Sequence, residues 1–323
     1  MNTVTASRSP KLDDYLKLAR FDHATKHVFI LPGVLLALAL RGIQNENIVY
    51  DIVLGLICAV SIASANYVIN EWLDRDFDKH HPTKSARVSV NVALNPALVY
   101  ALWLGFLFTG LLAAYLSSWL MLGVAIVFGL QGVVYNVPPI RSKDRAFLDV
   151  ISESINNPLR MLIGWAMIDA YTLPPSSVVL AYWLGGAFLM AAKRFSEYRE
   201  IVASHGLDLL VRYRKSFTGY SETTLFTSTF LYALLCLGLF AVFLTKYRIE
   251  YILSMPFLCV LFAVYMALSM AKGSVAQAPE KIFSSRLLML ATAAFAISVV
   301  FLTFVDLPIV DELSGQRYVS LIN

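Results

Sequence analysis

Long apolar runs are the feature of this sequence that most limits what it can fold into. Nine runs approach the roughly 20 residues that a helix needs to cross a hydrocarbon layer of about 30 Å, although the first is short and the fifth contains polar residues. They occupy residues 27–42, 48–70, 96–117, 119–135, 149–170, 177–195, 225–245, 251–271 and 287–306. Because 58% of all residues are hydrophobic and only 15% are charged, unlike average soluble proteins, we predict an all-α, polytopic membrane protein with nine transmembrane helices.

The polar segments between these runs differ strongly in basic charge. Alternate segments, starting with the N-terminal one, hold 21 of the 26 Lys and Arg residues. Since basic residues favour the cytoplasmic side, we expect the N-terminus in the cytoplasm and the C-terminus outside, in the cell (inner) membrane. We expect one membrane domain over residues 1–323, with 1–26 as a cytoplasmic N-terminal segment. Loops 71–95 and 193–224 should then carry the active site in a cytoplasmic polar cap.

Several classes of function find no support in the composition. The three cysteines, Cys58, Cys236 and Cys259, lie in apolar runs and show neither a disulfide framework nor metal-ligand spacing. The adjacent His80 and His81 have no further ligand at zinc-binding spacing. The basic residues are dispersed over loops that must lie at a membrane, so we expect no nucleic-acid partner.

The segment NEWLDRDFDKHHPTK, which begins at Asn70, concentrates acidic side chains directly behind the second apolar run. Asn70, Asp74 and Asp78 recur every four residues, so they form one stripe if the helix continues, with successive members about 6 Å apart along its axis. Glu71 lies beside this stripe, whereas Asp76 points elsewhere. Mg²⁺ is typically held by one or two carboxylates together with substrate phosphates. The stripe therefore predicts a site for a complex of Mg²⁺ with a diphosphate.

The pattern N-x-x-x-D-x-x-x-D at this position resembles the first aspartate-rich motif of the UbiA superfamily of intramembrane prenyltransferases. The resemblance extends over most of the chain and includes nine helices, a cytoplasmic N-terminus and charged inner loops after the second and sixth helices. In that family the acidic residues bind Mg²⁺ that bridges to a diphosphate. The resemblance implies a UbiA-like helix bundle, Mg²⁺ as the cofactor and Asn70, Asp74 and Asp78 as catalytic residues. The implied metal ligands are Asn70, Glu71, Asp74 and Asp78.

A second matching segment, YNVPPIRSKDRAFLDV, precedes the fifth predicted helix. It resembles the tyrosine, paired prolines and basic residues that the family carries before this helix. The corresponding residues are Tyr135, Pro138, Pro139, Arg141 and Lys143.

The fifth predicted helix carries charges of its own. Asp149 opens it, and Arg160 follows about three turns further on the same side. A lone arginine within a membrane helix needs a partner or a ligand. The candidates for structural pairing are Glu153, Asn156 and Asn157, and the other interpretation is a pocket for an anionic substrate.

The segment after the sixth predicted helix departs from the family pattern. Most aromatic prenyltransferases of the family carry a second acidic motif there, D-x-x-x-D, whereas this chain has Lys193, Arg194 and Glu197. One carboxylate with two cations suits phosphate oxygens better than a second metal ion.

This departure is similar to the decaprenyl-phosphate phosphoribosyltransferase branch of the superfamily. The segments HPTK with Arg87, KRFSE and RKSFTGY also resemble that branch, which uses phosphoribosyl pyrophosphate as donor and a polyprenyl monophosphate as acceptor. Lys26 sits where the branch places a basic residue, although His27 stands where Asn is usual. The implied substrate-binding residues are Lys26, Tyr67, Lys84, Arg87, Tyr135, Arg141, Lys143, Asp149, Arg160, Lys193, Arg194 and Glu197.

The expected function is Mg²⁺-dependent transfer of 5-phosphoribose from phosphoribosyl pyrophosphate to a polyprenyl phosphate of the decaprenyl type, a step of cell wall biosynthesis that releases pyrophosphate. The alternative enzyme is an aromatic prenyltransferase that joins a prenyl diphosphate to a quinone- or haem-type acceptor, which normally needs the second acidic motif. A transporter is a third interpretation. It is disfavoured because the polar residues gather at one face and no chain of ionisable groups crosses the bilayer.

Overall fold

Helices are the regular elements of the described part of the chain, which comprises residues 9–271, 273–274 and 285–310 of this computed structural model. No β-strand occurs among these residues. The α-helices are α1 Leu12–Lys17, α2 Leu31–Arg41, α3 Ile48–Asp78, α4 Val88–Asn91, α5 Pro96–Ser117, α6 Trp119–Asn136, α7 Leu148–Ser154, α8 Asn156–Ala166, α9 Ser176–His205, α10 Leu207–Tyr213, α11 Glu222–Tyr247, α12 Met255–Met270 and α13 Arg286–Phe304. Short 3₁₀ segments lie at Phe21–Ile30, Lys84–Ala86, Ser142–Asp144, Lys215–Gly219 and Ile249–Ser254.

Seven helical segments of the described residues are long and apolar enough to cross a membrane. They are Ile48–Asp78, Pro96–Ser117, Trp119–Asn136, Ser176–His205, Glu222–Tyr247, Ile249–Met270 and Arg286–Phe304. Each contains one of the predicted apolar runs or most of it. The prediction of an all-α integral membrane protein is therefore confirmed, and seven of the nine predicted spans have helices of sufficient length.

The other two predicted spans are divided helices. Residues 27–42 form the end of a 3₁₀ segment followed by α2, which has only 11 residues. Residues 149–170 form α7 and α8, separated at Ile155. Pro158 contributes to this break because it has no N–H to donate to the carbonyl of Ser154, four residues earlier. Divided helices are tolerated at membrane depth when protein surrounds them, and whether these two cross the bilayer stays a prediction.

Two glycines allow the divided helices to pack backbone against backbone. A Cβ atom added at Gly33 would lie 1.8 Å from the carbonyl oxygen of Met161, and one added at Gly164 would lie 2.2 Å from the carbonyl oxygen of Ile30. No side chain fits either gap. The start of α2 and the preceding 3₁₀ segment therefore lie directly on α8.

The chain divides into two compact units. The first comprises Met1–Pro174 and Glu197–Thr227, and the second comprises Pro175–Ser196 and Ser228–Asn323. In the first unit α3 is the central helix and packs on α5, α6 and α8. Its small buried residues, such as Ala59, Ala63 and Ala65, permit close contact with these neighbours. The expected single domain over residues 1–323 stays a prediction.

The second unit contains the first part of α9, most of α11, and the helices α12 and α13. Phe188 of α9 stacks on Phe262 of α12 with ring centroids 4.6 Å apart. Arg248 donates to the carbonyl oxygen of Leu302 at 2.7 Å and pairs with Asp306 at 2.7 Å. These contacts tie the start of the Ile249–Ser254 segment to the end of α13.

Candidate active site

The acidic stripe lies on the last turns of α3, which continues without a break from Ile48 to Asp78. Asn70, Asp74 and Asp78 therefore share one face, as their spacing predicts. Asp76 behaves differently because its side chain is exposed and pairs with Lys79, three residues on, at 2.7 Å.

Asp74 is held by two cations from the loop that follows α6. Lys143 Nζ lies 2.5 Å and Arg141 Nη2 lies 2.8 Å from the same oxygen, Asp74 Oδ1. Arg141 adopts φ of 30°, which is uncommon for a residue other than glycine. Its guanidinium also bonds Asp144 and the carbonyl oxygen of Asn136, and these contacts stabilise the unusual backbone. Burial lowers the pKa of Lys143 to about 8, against the opposing charge of Asp74.

Asp78 pairs with a different cation. Arg87 lies in the loop after α3, and its Nη1 donates to Asp78 Oδ2 at 2.7 Å. Asp78 is almost fully buried. Asp74 and Asp78, the predicted metal ligands, are thus both engaged in ion pairs in this structure.

A hydrogen-bond relay fixes the orientation of the amide of Asn70. Lys143 can only donate, so Asn136 must turn its Oδ1 toward it, at 2.8 Å. Asn136 in turn donates Nδ2 to the carbonyl oxygen of Gly132 at 2.9 Å. The same Asn136 Oδ1 accepts from Asn70 Nδ2 at 2.6 Å. Asn70 must therefore turn its own oxygen away from this relay.

Three oxygens along the stripe are left without a hydrogen bond from any described residue: Asn70 Oδ1, Asp74 Oδ2 and Asp78 Oδ1. Oxygen ligands of this kind fit Mg²⁺. No group of three or more His, Cys, Asp or Glu suitable for a metal ion occurs among the described residues. The donor set therefore fits an ion that takes its remaining ligands from substrate phosphates and water.

Glu71 faces away from these oxygens. Its Oε1 accepts from Ser89 at 3.4 Å, and its Oε2 lies 3.6 Å from Arg20 Nη1. The contacts tie the helix to the N-terminal segment and to α4. Its predicted role as a metal ligand stays a prediction.

A second set of charges surrounds Lys84 in the loop after α3. Burial lowers the pKa of Lys84, while the nearby carboxylates of Glu197 and Asp78 act in the opposite direction. Glu197 accepts from the hydroxyl of Tyr213 at 3.0 Å and faces His81 Nε2 at 3.7 Å. The His81 ring packs on that of Tyr213 with centroids 4.4 Å apart. Glu197 therefore lies near Lys84, His81 and Tyr213, and the predicted contacts of Glu197 and Lys84 with substrate stay a prediction.

Arg214 connects the 207–219 segment to α7 and α6. Its guanidinium lies 3.5 Å from Asp149 and 3.7 Å from Glu153, and it donates to the hydroxyl of Tyr135 at 3.0 Å. The Tyr135 hydroxyl donates onward to Glu153 at 2.8 Å. These acidic neighbours, together with Tyr135, raise the pKa of Arg214 well above its usual value despite the burial of the group. The arginine is therefore permanently charged at the edge of the site.

Asp149 is fully buried and receives three groups from the segment after α10. Ser216 donates to it at 3.0 Å and Tyr220 donates at 2.6 Å, in addition to the contact with Arg214. Tyr220 also accepts from the backbone N–H of Phe147 at 2.6 Å. In this structure Asp149 therefore holds a loop, and its predicted substrate contact stays a prediction.

The remaining predicted residues are not members of the stripe. Lys26 Nζ is 5.2 Å from the centre of the Tyr67 ring, one helical turn before Asn70. Arg160 is buried on α8, over the ring of Phe128. Lys193 and Arg194 belong to the second unit, and their part in the site stays a prediction.

Sequence reasoning left out several residues of the site. Arg214 and Tyr220 lie in RKSFTGY, whose resemblance to the phosphoribosyltransferase branch is the signal that could have found them. An amide beside Tyr135 at the end of an apolar helix is the corresponding signal for Asn136. No local pattern distinguishes His81 from an exposed histidine, because its partners come from α9 and α10.

Comparison with solved structures shows the fold. A UbiA homologue from Archaeoglobus fulgidus bound to DMAPP and Mg²⁺ superimposes with a TM-score of 0.67 at 20% identity, covering 90% of this chain and 100% of that one. A UbiA homologue from Aeropyrum pernix K1 gives 0.60 at 16% identity, over 87% and 98% of the two chains.

Sequence relatives differ in their reactions. The protohaem IX farnesyltransferase of Geobacillus thermodenitrificans is 30% identical over 184 residues, or 53% of this chain and 57% of the relative. The decaprenyl-phosphate phosphoribosyltransferase of Mycolicibacterium smegmatis is 26% identical over 234 residues, or 70% and 69% of the two chains. The chain thus spans little more than half the length of the first relative.

The family itself follows from a broader match. The model of the UbiA prenyltransferase family covers residues 28–291, which include both divided helices, the aspartate stripe and all the loops that surround it. The chain belongs to the UbiA prenyltransferase family.

Proposed function

We propose that this protein transfers 5-phosphoribose from phosphoribosyl pyrophosphate to a polyprenyl phosphate of the decaprenyl type. The observation that carries the proposal is the state of Glu197. It is the one carboxylate of the KRFSE segment, and it is already engaged by Tyr213 and placed beside Lys84. This segment has no second acidic pair that could hold another metal ion. It has cations instead, and cations bind phosphate groups well.

The proposed Mg²⁺ ligands are Asn70, Asp74 and Asp78, whose free oxygens line the stripe. An ion bound there would neutralise charge that develops on the leaving pyrophosphate. The cations that now hold the two aspartates are Arg141, Lys143 and Arg87. In this proposal, they exchange the aspartates for the phosphate oxygens of the donor when the metal and the donor bind.

The reaction needs no strong base. A phosphate oxygen of the acceptor, already anionic at neutral pH, attacks the anomeric carbon as the bond from that carbon to the pyrophosphate oxygen breaks. The electron pair of that bond leaves with pyrophosphate, so no proton has to be removed from the nucleophile. The residues act by binding, orientation and charge stabilisation. Lys84 and Arg214 complete the cationic boundary. The resemblance to the phosphoribosyltransferase branch adds Lys193 and Arg194 as proposed phosphate-binding residues.

The similarity to the Mycolicibacterium phosphoribosyltransferase supports this donor, because it extends over 70% of the chain. The Archaeoglobus homologues bound to Mg²⁺ with DMAPP or GPP support a metal–diphosphate complex in this fold. By the distribution of basic residues, we further propose that the site faces the cytoplasm in the cell membrane.

A prenyltransferase acting on a haem- or quinone-type acceptor is the second candidate. The Geobacillus farnesyltransferase favours it, with 30% identity over its aligned 184 residues. This reaction would use the same stripe, with a prenyl diphosphate replacing the ribosyl donor.

The test is a transfer assay with purified protein, Mg²⁺ and radiolabelled phosphoribosyl pyrophosphate, with decaprenyl phosphate as acceptor. We expect a labelled lipid that depends on both Mg²⁺ and the acceptor, with release of pyrophosphate. A parallel reaction with labelled farnesyl diphosphate and protohaem IX should give no product. Transfer from farnesyl diphosphate without transfer of ribose would contradict the proposal in favour of the second candidate.

A further inference from the structure

A second polar cluster lies deeper in the first unit than the aspartate stripe. It consists of Lys26 and His27 in the 3₁₀ segment before α2, together with Asn156 and Arg160 of α8. The two segments are in contact through the glycine packing of α2 and α8, and the charges of Lys26 and Arg160 both act on the His27 ring.

The cluster holds buried polar atoms without partners. Arg160 is only 5% exposed, and its only hydrogen bond among the described residues goes from Nη1 to the carbonyl oxygen of Asn156 at 3.2 Å. Arg160 Nε, His27 Nδ1 and Asn156 Oδ1 are buried and have no hydrogen-bond partner. Such atoms are uncommon because leaving them unpaired costs free energy.

The cluster also carries positive charge. Among the described residues, no carboxylate lies within ion-pairing distance of Lys26 or Arg160. Both rest on aromatic rings instead: Lys26 Nζ is 5.2 Å from the centre of Tyr67 and Arg160 Cζ is 5.1 Å from that of Phe128. A buried cation without a counter-ion is costly, so an anion would complete this cluster.

The position of the cluster favours an anion on a lipid. Tyr67 precedes Asn70 by three residues on α3, and Phe128 precedes Asn136 by eight residues on α6. The cluster therefore lies one to two turns, about 5–12 Å, deeper along these helices than the stripe. The ring of Phe128, over which Arg160 lies, is fully buried. An amphiphile with a charged head suits this depth, whereas a sugar phosphate suits the polar end.

We infer that Lys26, His27 and Arg160 form a second anion site that binds the charged head group of the acceptor. The inference rests on the proposed function, in which that head is the phosphate of a polyprenyl phosphate. The head then lies deeper than the pyrophosphate of the donor, and its nucleophilic oxygen faces outward toward the anomeric carbon. His27 contributes Nδ1, a buried ring nitrogen without a hydrogen-bond partner.

The test measures binding to the purified full-length protein by calorimetry in detergent. Farnesyl phosphate is the acceptor probe, farnesol its uncharged control, and magnesium pyrophosphate the donor-side probe. Arg160→Gln should weaken farnesyl phosphate binding by about 10- to 100-fold, the loss of one charge-assisted contact. Binding of farnesol and of magnesium pyrophosphate should change by less than about twofold.

Two further variants separate a binding role from a folding role. Arg160→Lys keeps the charge and should keep most of the affinity for farnesyl phosphate. Asp74→Asn should show the reverse pattern, with magnesium pyrophosphate weakened and farnesyl phosphate retained. Measurable and equal affinities of wild type and Arg160→Gln for farnesyl phosphate would overturn the inference, as would an equal loss for magnesium pyrophosphate or for phosphoribosyl pyrophosphate.

The failure of the proposed reaction would look different. If benzoate, a small aromatic carboxylate, bound in an Arg160-dependent way and wild type did not bind farnesyl phosphate at all, the second anion site would stand. The phosphoribosyl reaction would then be contradicted, and the acceptor would be a carboxylate.

Discussion

Two fully buried aspartates lie at opposite ends of the α7–α8 pair, and their surroundings differ. Asp169, after α8, accepts from Arg41 and from the backbone and side chain of its own turn at Tyr171 and Thr172. Asp149, at the start of α7, is held by groups from a segment more than 60 residues away. One aspartate closes a local turn, and the other holds a loop against the site.

The polar atoms around these two aspartates also differ. Beside Asp169, Asn45 satisfies the carbonyl oxygens of Ala166 and Met167 and accepts from the N–H of Ala170. Among the described residues, the buried side-chain atoms without hydrogen-bond partners lie elsewhere, and two of their residues, His27 and Arg160, belong to the second anion site. These residues are His27, Asn66, Glu71, Asn156, Arg160 and Arg214. A fully satisfied network stabilises the fold, whereas an incompletely satisfied one is open to a ligand.

The largest effect on activity is expected when one charge is removed from the stripe. Asp74→Asn should lower Mg²⁺-dependent pyrophosphate release by about 100- to 1000-fold, because it removes a charged metal ligand at the reacting end. Asp76→Asn is the matched control, two residues on, where an exposed pair contributes little. The assay is steady-state turnover with saturating donor. Comparable activity in both variants would remove Asp74 from the metal site.

A substitution at the opposite end of the α7–α8 pair should change the stability of the protein. Asp169→Asn removes an ion pair with Arg41 and weakens the local turn, so we expect a loss of about 2–3 kcal/mol in the free energy of unfolding. Thermal unfolding in detergent measures it, and the KM for the donor should stay unchanged in the folded fraction. A change in KM with no loss of stability would contradict the division between the two ends.

The orientation relay offers a smaller and more selective test. Asn136→Ala frees the amide of Asn70 to turn, so the affinity for magnesium pyrophosphate should fall by about 10-fold, as is typical when a partner of a metal ligand is lost. Calorimetry measures the affinity. Asn45→Ala, in the satisfied network, should lower the melting temperature and leave that affinity unaltered. Unchanged affinity in Asn136→Ala would show that Asn70 needs no fixed orientation.

The smallest effect is expected at the loop that Asp149 holds. Tyr220→Phe removes one donor to Asp149 and the acceptor of the Phe147 N–H, so we expect a loss of about 1–2 kcal/mol in unfolding free energy. Turnover should fall only a few-fold. Tyr171→Phe, at an 81% exposed tyrosine, is the control and should have no effect. A thermal shift assay that could not distinguish these two variants would argue against the role of this loop contact.

The parts of the site that follow helical periodicity could be predicted from the sequence. The spacing of Asn70, Asp74 and Asp78 fixes their shared face because α3 continues through them, and apolar length identifies seven long helices. Hydropathy does not reveal that the fifth predicted span is divided into two helices, since the break depends on the missing N–H of Pro158. The contacts of Asn136 and Arg214 could not be predicted from the sequence either, because their partners come from other helices.

One carboxylate oxygen of Asp74 is already paired with two cations before any ligand binds. A bare divalent ion approaching its second oxygen is repelled by Lys143 and Arg141, and only an anion that engages these cations removes the repulsion. Mg²⁺ and pyrophosphate should therefore be thermodynamically linked at this site, each raising the affinity of the other by the same factor. The internal ion pair thus acts as a filter that admits the metal together with its phosphate and disfavours the metal alone.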